Sequence, residues 1–369
     1  MGSLPNNRLL SLDAFRGFTI AAMILVNSPG SYRAVYPPFK HAPWNGWTFA
    51  DTIFPCFLFI MGVSMMFSLA SCQQGGLSCS RVDLKIVKRT LILFGLGLFM
   101  NSYPIFHVST LRIPGVLQRI ALCYFFASII VRKLGPRGQF YCIVGLLTSY
   151  WLMMRLVPIP EAMTGTLEPG SNFAAYVDSL FLQGHMWAQQ DPEGIVGTLP
   201  AIGTTLFGTL TGTWLRSNRS GSTRTAGMIV AGTALLALGM LLDTWMPINK
   251  NLWTSTYTIF MAGIALLSFA LFYWVIDVAG YKRWAKVFVI FGMNAIAVYF
   301  LCEVLDTSLV FIMHKAAGSA LALRSYLFRS MFVPLASPEG ASLIFALSYL
   351  FLMFLVAWAM WRMRIFIKV

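Results

Sequence analysis

The chain has 369 residues, 57% of them hydrophobic and 11% charged, with a net charge of +14 and a mean hydropathy of +0.71. Soluble domains carry about 25% charged residues, so this balance excludes an ordinary soluble globular domain. A nucleic-acid partner is not expected either: no basic patch interleaves with aromatics, and membrane proteins gather Lys and Arg in cytoplasmic loops.

Many apolar runs approach the ~20 residues needed to cross the hydrocarbon. They are continuous rather than alternating, and only helices or closed barrels satisfy their backbones in lipid, so helices are expected. The fold class is therefore an all-α integral membrane protein, a polytopic bundle of about ten transmembrane helices forming one domain over 1–369. The spans are expected near 13–29, 48–70, 86–101, 115–132, 139–157, 195–215, 226–246, 252–276, 285–305 and 341–363. The first run carries Asp13 and Arg16 and no small-residue cleavage site follows a cationic start, so it does not read as a cleavable signal peptide.

The first connection, Asn27 to Asp51, is broken by Pro29, Gly30, Pro37, Pro38 and Pro43, and it contains His41 within KHAPWNGW. Trp44 and Trp47 offer a stacking wall, or equally interfacial anchors, and Asn45 a group that orients the ring. A partly buried imidazole with an acidic partner titrates near neutral pH and suits proton transfer. The residue pattern alone leaves the catalytic and the incidental reading of His41 both open.

Further along, polar residues enter the spans. Asp13 and Arg16 share a helix face at three residues' spacing and are expected to pair. Asp51 opens the second span, Gln118 and Arg119 the fourth, and Asn294 and Glu303 lie in the ninth. Charges in hydrocarbon are costly and usually face a bundle interior or water, and the competing reading for each is a structural contact between helices. The four histidines, His41, His107, His185 and His314, lack the HxxH or HExxH spacing of a metal site, so no metal is expected. The six cysteines show no disulfide framework.

With ten spans both termini share a side, and charge selects it. Eighteen of the 27 cations, from Arg8 and Arg16 through Arg81, Lys85, Lys88, Arg89 and Arg132 to Arg362, Arg364 and Lys368, fall on one set of connections and ends. The positive-inside rule makes that side cytoplasmic. The His41 loop and the long connections 158–194 and 306–340 then face outward, the latter as an interfacial helix or re-entrant cover. Its apolar stretch raises a homodimer as a partner reading.

Several ordered blocks resemble one family. RLLSLDAFRGFTIAAMILVNSPG and HAPWNGWTFADTIFPCFLFIMGVS, followed by LRIPGVLQRIALCYF, EGIVGTLPAIGTTLFG, NKNLWTSTYTIFMAG and FGMNAIAVYF, look like the heparan-α-glucosaminide N-acetyltransferases and their bacterial relatives. The resemblance implies a multi-spanning acetyltransferase. Such an enzyme moves acetyl from cytosolic acetyl-CoA, a co-substrate, to the amine of a glucosamine-type sugar across the bilayer. It implies His41 as the catalytic residue, with Asn27 and Asp51 as its partners. Because the core block begins at Arg8, without the extra luminal segment and span of lysosomal members, it implies a compact bacterial relative. The expected location is the inner membrane, with the His41 loop periplasmic. Arg16, Arg89, Gln118 and Arg119 are candidate coenzyme-binding residues, and Trp44, Asn45 and Trp47 candidate sugar-binding residues. A transporter of amino sugar or N-acetylglucosamine is the alternative, though no inverted repeat supports it.

Overall fold

The computed structural model describes residues 9–75, 78–160, 163–316 and 319–367; Arg8 and Lys368, counted above among the cytoplasmic cations, lie outside the described residues. The chain is helical nearly throughout. In order it forms α1 (Leu10–Asn27), α2 (Phe49–Gln74), α3 (Cys79–Ser102), α4 (Val116–Lys133), α5 (Pro136–Leu156), α6 (Phe173–Leu182) and α7 (Thr198–Leu215). There follow α8 (Gly221–Leu242), α9 (Ser255–Tyr273), α10 (Lys286–Met293), α11 (Ala295–Phe311), α12 (Leu323–Leu327) and α13 (Pro338–Arg362). Between α11 and α12 a short antiparallel hairpin joins β1 (Met313–Ala316) to β2 (Ser319–Ala322).

Nine of the ten expected spans each overlap one helix, and the one at 285–305 falls on the bent pair α10 and α11. Five helical stretches are long and apolar enough to cross a membrane, or six if the bent pair α10–α11 is one span. The expected ten spans also include α3, α4, α5 and α7, which do not meet that measure of length and apolarity. The run expected as one helix at 285–305 is bent by 78° between Met293 and Ala295. Asn294 sits at that break. Its Nδ2 donates to the Ile365 carbonyl (3.0 Å), and its Oδ1 accepts from the Ile367 N–H (3.0 Å). Asn294 is thus a structural contact that fastens the C-terminal tail.

The chain divides into two compact units. The first comprises Met1–His41, Thr48–Ile53 and Leu271–Val369, and the second Ala42–Trp47 and Phe54–Ala270. In the first, α1 packs on α10 backbone to backbone: a Cβ on Gly17 would collide with the Phe288 carbonyl, and one on Gly292 with that of Asp13. Such close approach through small residues holds membrane helices together. Phe15, Phe18, Phe272 and Phe288 close the seam with tilted and edge-on ring contacts. The N-terminus of α1 is capped by Asp277, whose Oδ2 accepts from the Ser11 N–H (3.2 Å), as the helix dipole favours.

In the second unit α2 and α7 meet in the same manner. Gly62 lies against the Thr205 carbonyl and Gly208 against that of Phe59. Helix α7 also packs on α4 and α5, and Gln139 accepts a hydrogen bond from Thr209 Oγ1 (2.9 Å).

Candidate active site

The histidine segment of the first unit is fixed by the start of α2. Thr48 is the residue before that helix and Asp51 its third residue. Asp51 Oδ2 accepts from the Thr48 N–H (3.0 Å) and from Thr48 Oγ1 (3.2 Å). This is half of a capping box, in which a side chain one turn in satisfies the backbone at the helix entrance. Its other oxygen, Oδ1, lies 2.7 Å from His41 Nδ1. The carboxylate side chain is 1% exposed and the imidazole 46% exposed. An ionised carboxylate only accepts, so Nδ1 carries the proton and Nε2 of the neutral ring holds the lone pair. Ala22 and Val26 of α1 pack on Ala50 and Ile53, with Phe39 and Phe49 against them. That seam brings the last turn of α1 to the entrance of α2.

Asn27 ends α1. Its backbone carbonyl accepts from Tyr32 Oη (2.6 Å), and its side chain hydrogen-bonds the carboxyl of Glu303 on α11. Asp51 and His41 thus come together as the sequence implied, while the Asn27 side chain has a partner that no local spacing announced. At the other end of α1, Arg16 Nη1 meets Asp13 Oδ1 at 3.1 Å, the pairing expected of that spacing. Eleven residues of helix put Arg16 roughly 16 Å along the axis from Asn27.

The remaining candidates fall in the second unit. Trp44 Nε1 donates to the Leu167 carbonyl (3.1 Å). Asn45 Oδ1 accepts from Asn249 Nδ2 (3.1 Å), and Gly46, with φ of 93°, donates to the Ile248 carbonyl (2.7 Å). Trp47 tilts against Phe260 with centroids 5.1 Å apart and stays 45% exposed. Arg89 lies over Tyr124, 4.5 Å from the ring centroid. Gln118 occupies the space that Gly97 and Gly115 leave open. Arg119 is 1% exposed and covers Trp253 at 5.1 Å. Its Nη2 donates to the Gly194 carbonyl (3.0 Å), but Nε and Nη1 have no hydrogen-bond partner among the described residues. Gln118 Nε2 and Arg89 Nε are likewise unpartnered.

Beside Arg119 lies a cleft too tight to admit a water molecule, lined also by Asp178, Gln190, Asp191, Gly194 and Asn251. Asp178 Oδ1 accepts from the Ile195 N–H (2.9 Å) while Oδ2 is unpartnered, and burial pushes its pKa up to about 6. Asp191 is held below the ordinary carboxylate range by Arg112, against the opposing effect of burial. Arg112 donates to both Asp191 oxygens (2.8 and 2.7 Å) and to Glu193 (2.6 Å). Sequence reasoning gave no role to Asp178, Asn249 or this arginine knot: Arg112, Glu193 and Asn249 lie inside the resembling blocks, but each meets partners far away in the chain.

Fold and site together define an all-α integral membrane protein that carries a carboxylate-oriented histidine at the entrance of a membrane helix. The profile of the heparan-alpha-glucosaminide N-acetyltransferase catalytic family matches residues 8–241, and the chain belongs to that family. It is 32% identical over 262 residues to the Homo sapiens heparan-alpha-glucosaminide N-acetyltransferase, covering 58% of this chain and 39% of the relative. The Mus musculus enzyme of the same name is 31% identical over 258 residues, covering 56% and 39%. The chain thus matches about two fifths of the length of these curated relatives. His41, Asn27, Asp51, Trp44, Asn45, Trp47, Gln118 and Arg119 all lie within the matched stretch, and Glu303 lies outside it.

Proposed function

We propose that the protein is a transmembrane N-acetyltransferase that moves acetyl from cytosolic acetyl-CoA to the amine of a glucosamine-type sugar on the outer side of the membrane. The observation that carries this reading is the 2.7 Å contact of His41 Nδ1 with Asp51, in a chain of this family. It leaves Nε2 as the base. The sugar's ammonium sheds one proton to solvent, and the neutral nitrogen attacks the thioester carbonyl as Nε2 takes its second proton. A C–N bond forms and the carbonyl oxygen becomes an oxyanion. Its collapse breaks the C–S bond, and the sulfur leaves with the proton returned by the imidazolium. Asp51, which stays ionised, supports the charged ring. Transient transfer of the acetyl to Nε2 is the other order of events from the same atom.

Binding roles are proposed for each unit separately. In the first, Arg16 meets a coenzyme phosphate at the cytoplasmic end of α1. In the second, Arg89, Gln118 and Arg119 hold the coenzyme, and their unpartnered nitrogens support that role. Trp44, Asn45 and Trp47 take the sugar: Trp47 offers an exposed face, while Trp44 and Asn45 are tied to neighbouring backbone and side chain. Both termini lie in the cytoplasm on this reading, which the charge alternation supports, and the membrane is a bacterial inner membrane.

The test is purified protein with labelled acetyl-CoA and glucosamine. Label transfer that His41→Ala abolishes, with coenzyme binding retained, is the expected result. Sugar uptake into vesicles without acetylation means a transporter instead, and undiminished transfer by His41→Ala removes the catalytic assignment.

A further inference from the structure

In the first unit, five cations gather where the last turn of α13 meets α10. Lys282 and Arg283 precede α10, Lys286 is its first residue, Arg362 ends α13 and Arg364 follows it, and all five are exposed. No carboxylate pairs with them among the described residues. Asp13 and Asp277, the acids described at this end of the unit, are committed elsewhere: Asp13 meets Arg16 (3.1 Å) and Asp277 caps α1 (3.2 Å). Two of the cations lie on indoles instead. Lys286 Nζ is 5.3 Å from the centroid of Trp361, and the Arg362 guanidinium 5.5 Å from that of Trp358. Trp284, beside Arg283 in the chain, rests on Phe272 and Phe288 and stays half-exposed. Tryptophans so placed mark the depth at which the headgroups of a membrane begin.

The backbone holds the cluster in one shape. Helix α13 ends with the Ile365 N–H donating to the Met360 carbonyl (2.9 Å) and the Arg364 N–H to that of Trp361 (3.1 Å). This turn places its left-handed residue, ordinarily glycine, at Arg364, whose φ is 57°. An arginine is thus kept there at the cost of backbone strain. Beyond it the chain is pinned by Asn294 through Ile365 and Ile367 (both 3.0 Å). Met363, Ile365, Phe366 and Ile367 remain exposed, as does Val287 of α10, so apolar side chains flank the cations. The 78° bend turns α10 across the direction of α11, as a helix lying in the membrane interface runs across a spanning one. A soluble phosphate would use the cations and leave the apolar rim in water. An amphiphile uses both.

We propose that this face binds the headgroup of an anionic phospholipid. The phosphate meets Lys286, Arg362 and Arg364, and the acyl chains lie along the exposed apolar side chains of the pinned tail. The site asks nothing of His41 or of a coenzyme, so it stands independently of the acetyltransferase reading above.

The test titrates the purified full-length chain in detergent with phosphatidylglycerol or phosphatidylcholine and counts retained lipid by native mass spectrometry. Phosphatidylglycerol is expected to stay bound and phosphatidylcholine to be lost. Lys286→Gln with Arg362→Gln weakens phosphatidylglycerol binding about 25-fold, roughly fivefold for each surface cation. Lys286→Arg with Arg362→Lys keeps the charges and most of the affinity. Should the neutral pair not fold, Lys282→Gln with Arg283→Gln, in the exposed segment before α10, weakens binding in the same direction. Arg81→Gln with Lys85→Gln, exposed cations of α3 in the other unit, leaves the affinity unchanged. An equal loss from the α3 pair means diffuse attraction and overturns the proposal, as does equal retention of phosphatidylcholine. Displacement of the lipid by coenzyme A overturns it too, since the cations then serve a soluble phosphate.

Discussion

Two buried aspartates show how one side chain does different work in the two units. Asp51 gives one oxygen to the entrance of α2 and the other to His41. Asp191 gives both oxygens to Arg112 and to the backbone N–H groups of Trp187 and Glu193. Both carboxylates are fully used, so the difference lies in their partners. Arg112 keeps its charge at any physiological pH and also stacks on Trp187 at 5.0 Å, so that contact can only hold the loop. His41 has a second ring nitrogen that can accept or give a proton. A carboxylate bound to an arginine builds structure, whereas the same carboxylate bound to a half-exposed imidazole orients the ring for the proton transfer proposed above.

That contrast predicts losses of different kinds. His41→Ala is expected to lower kcat by roughly 10²–10⁴-fold with the melting temperature unchanged, measured by acetyl transfer and by a thermal-shift assay on the same sample. Asp51→Asn keeps a side chain of the same shape but no longer dictates the ring's tautomer. Its kcat falls about 10²-fold or more, and a wild-type rate would break the comparison. Arg112→Ala should do the reverse. Leaving Asp191 buried without its partner costs about 3 kcal/mol, read as a lower melting temperature.

The smallest effect concerns Asp178. Its pKa is raised from 3.8 to about 6 by burial, so the folded state holds the proton more tightly than the unfolded one. That contribution is full below pH 3.8 and is lost as pH rises through about 6. Near neutral pH the penalty amounts to about 2–3 kcal/mol at most. Asp178→Asn is therefore expected to raise the melting temperature at pH 7 and to leave it unchanged at pH 4. A gain at both pH values would mean that Asp178 acts through packing rather than charge.

Much of the fold was legible in the chain. Apolar runs marked every long helix because lipid demands continuous apolar faces. The spacing of Asp13 and Arg16 announced their pair because residues three apart on a helix share a face. Family blocks singled out His41, Asn27 and Asp51, and two of the three meet directly. The bend at Asn294 was hidden, since a run of apolar residues looks the same whether its helix is straight or broken.

The sequence by itself determined an all-α membrane protein of this family, with a Pro-broken segment carrying a histidine between two helices. Local period and composition suffice for that, because each helix must satisfy its own backbone and shed its charges to the ends. Only the tertiary structure decided which nitrogen of His41 meets Asp51, which carboxyl Asn27 answers to, and which arginines are spent and which keep unpartnered nitrogens. Glu303 and Asn27 stand at opposite ends of the chain, and nothing in the local pattern of either names the other. A hydrogen bond between them exists only because α11 runs past the last turn of α1.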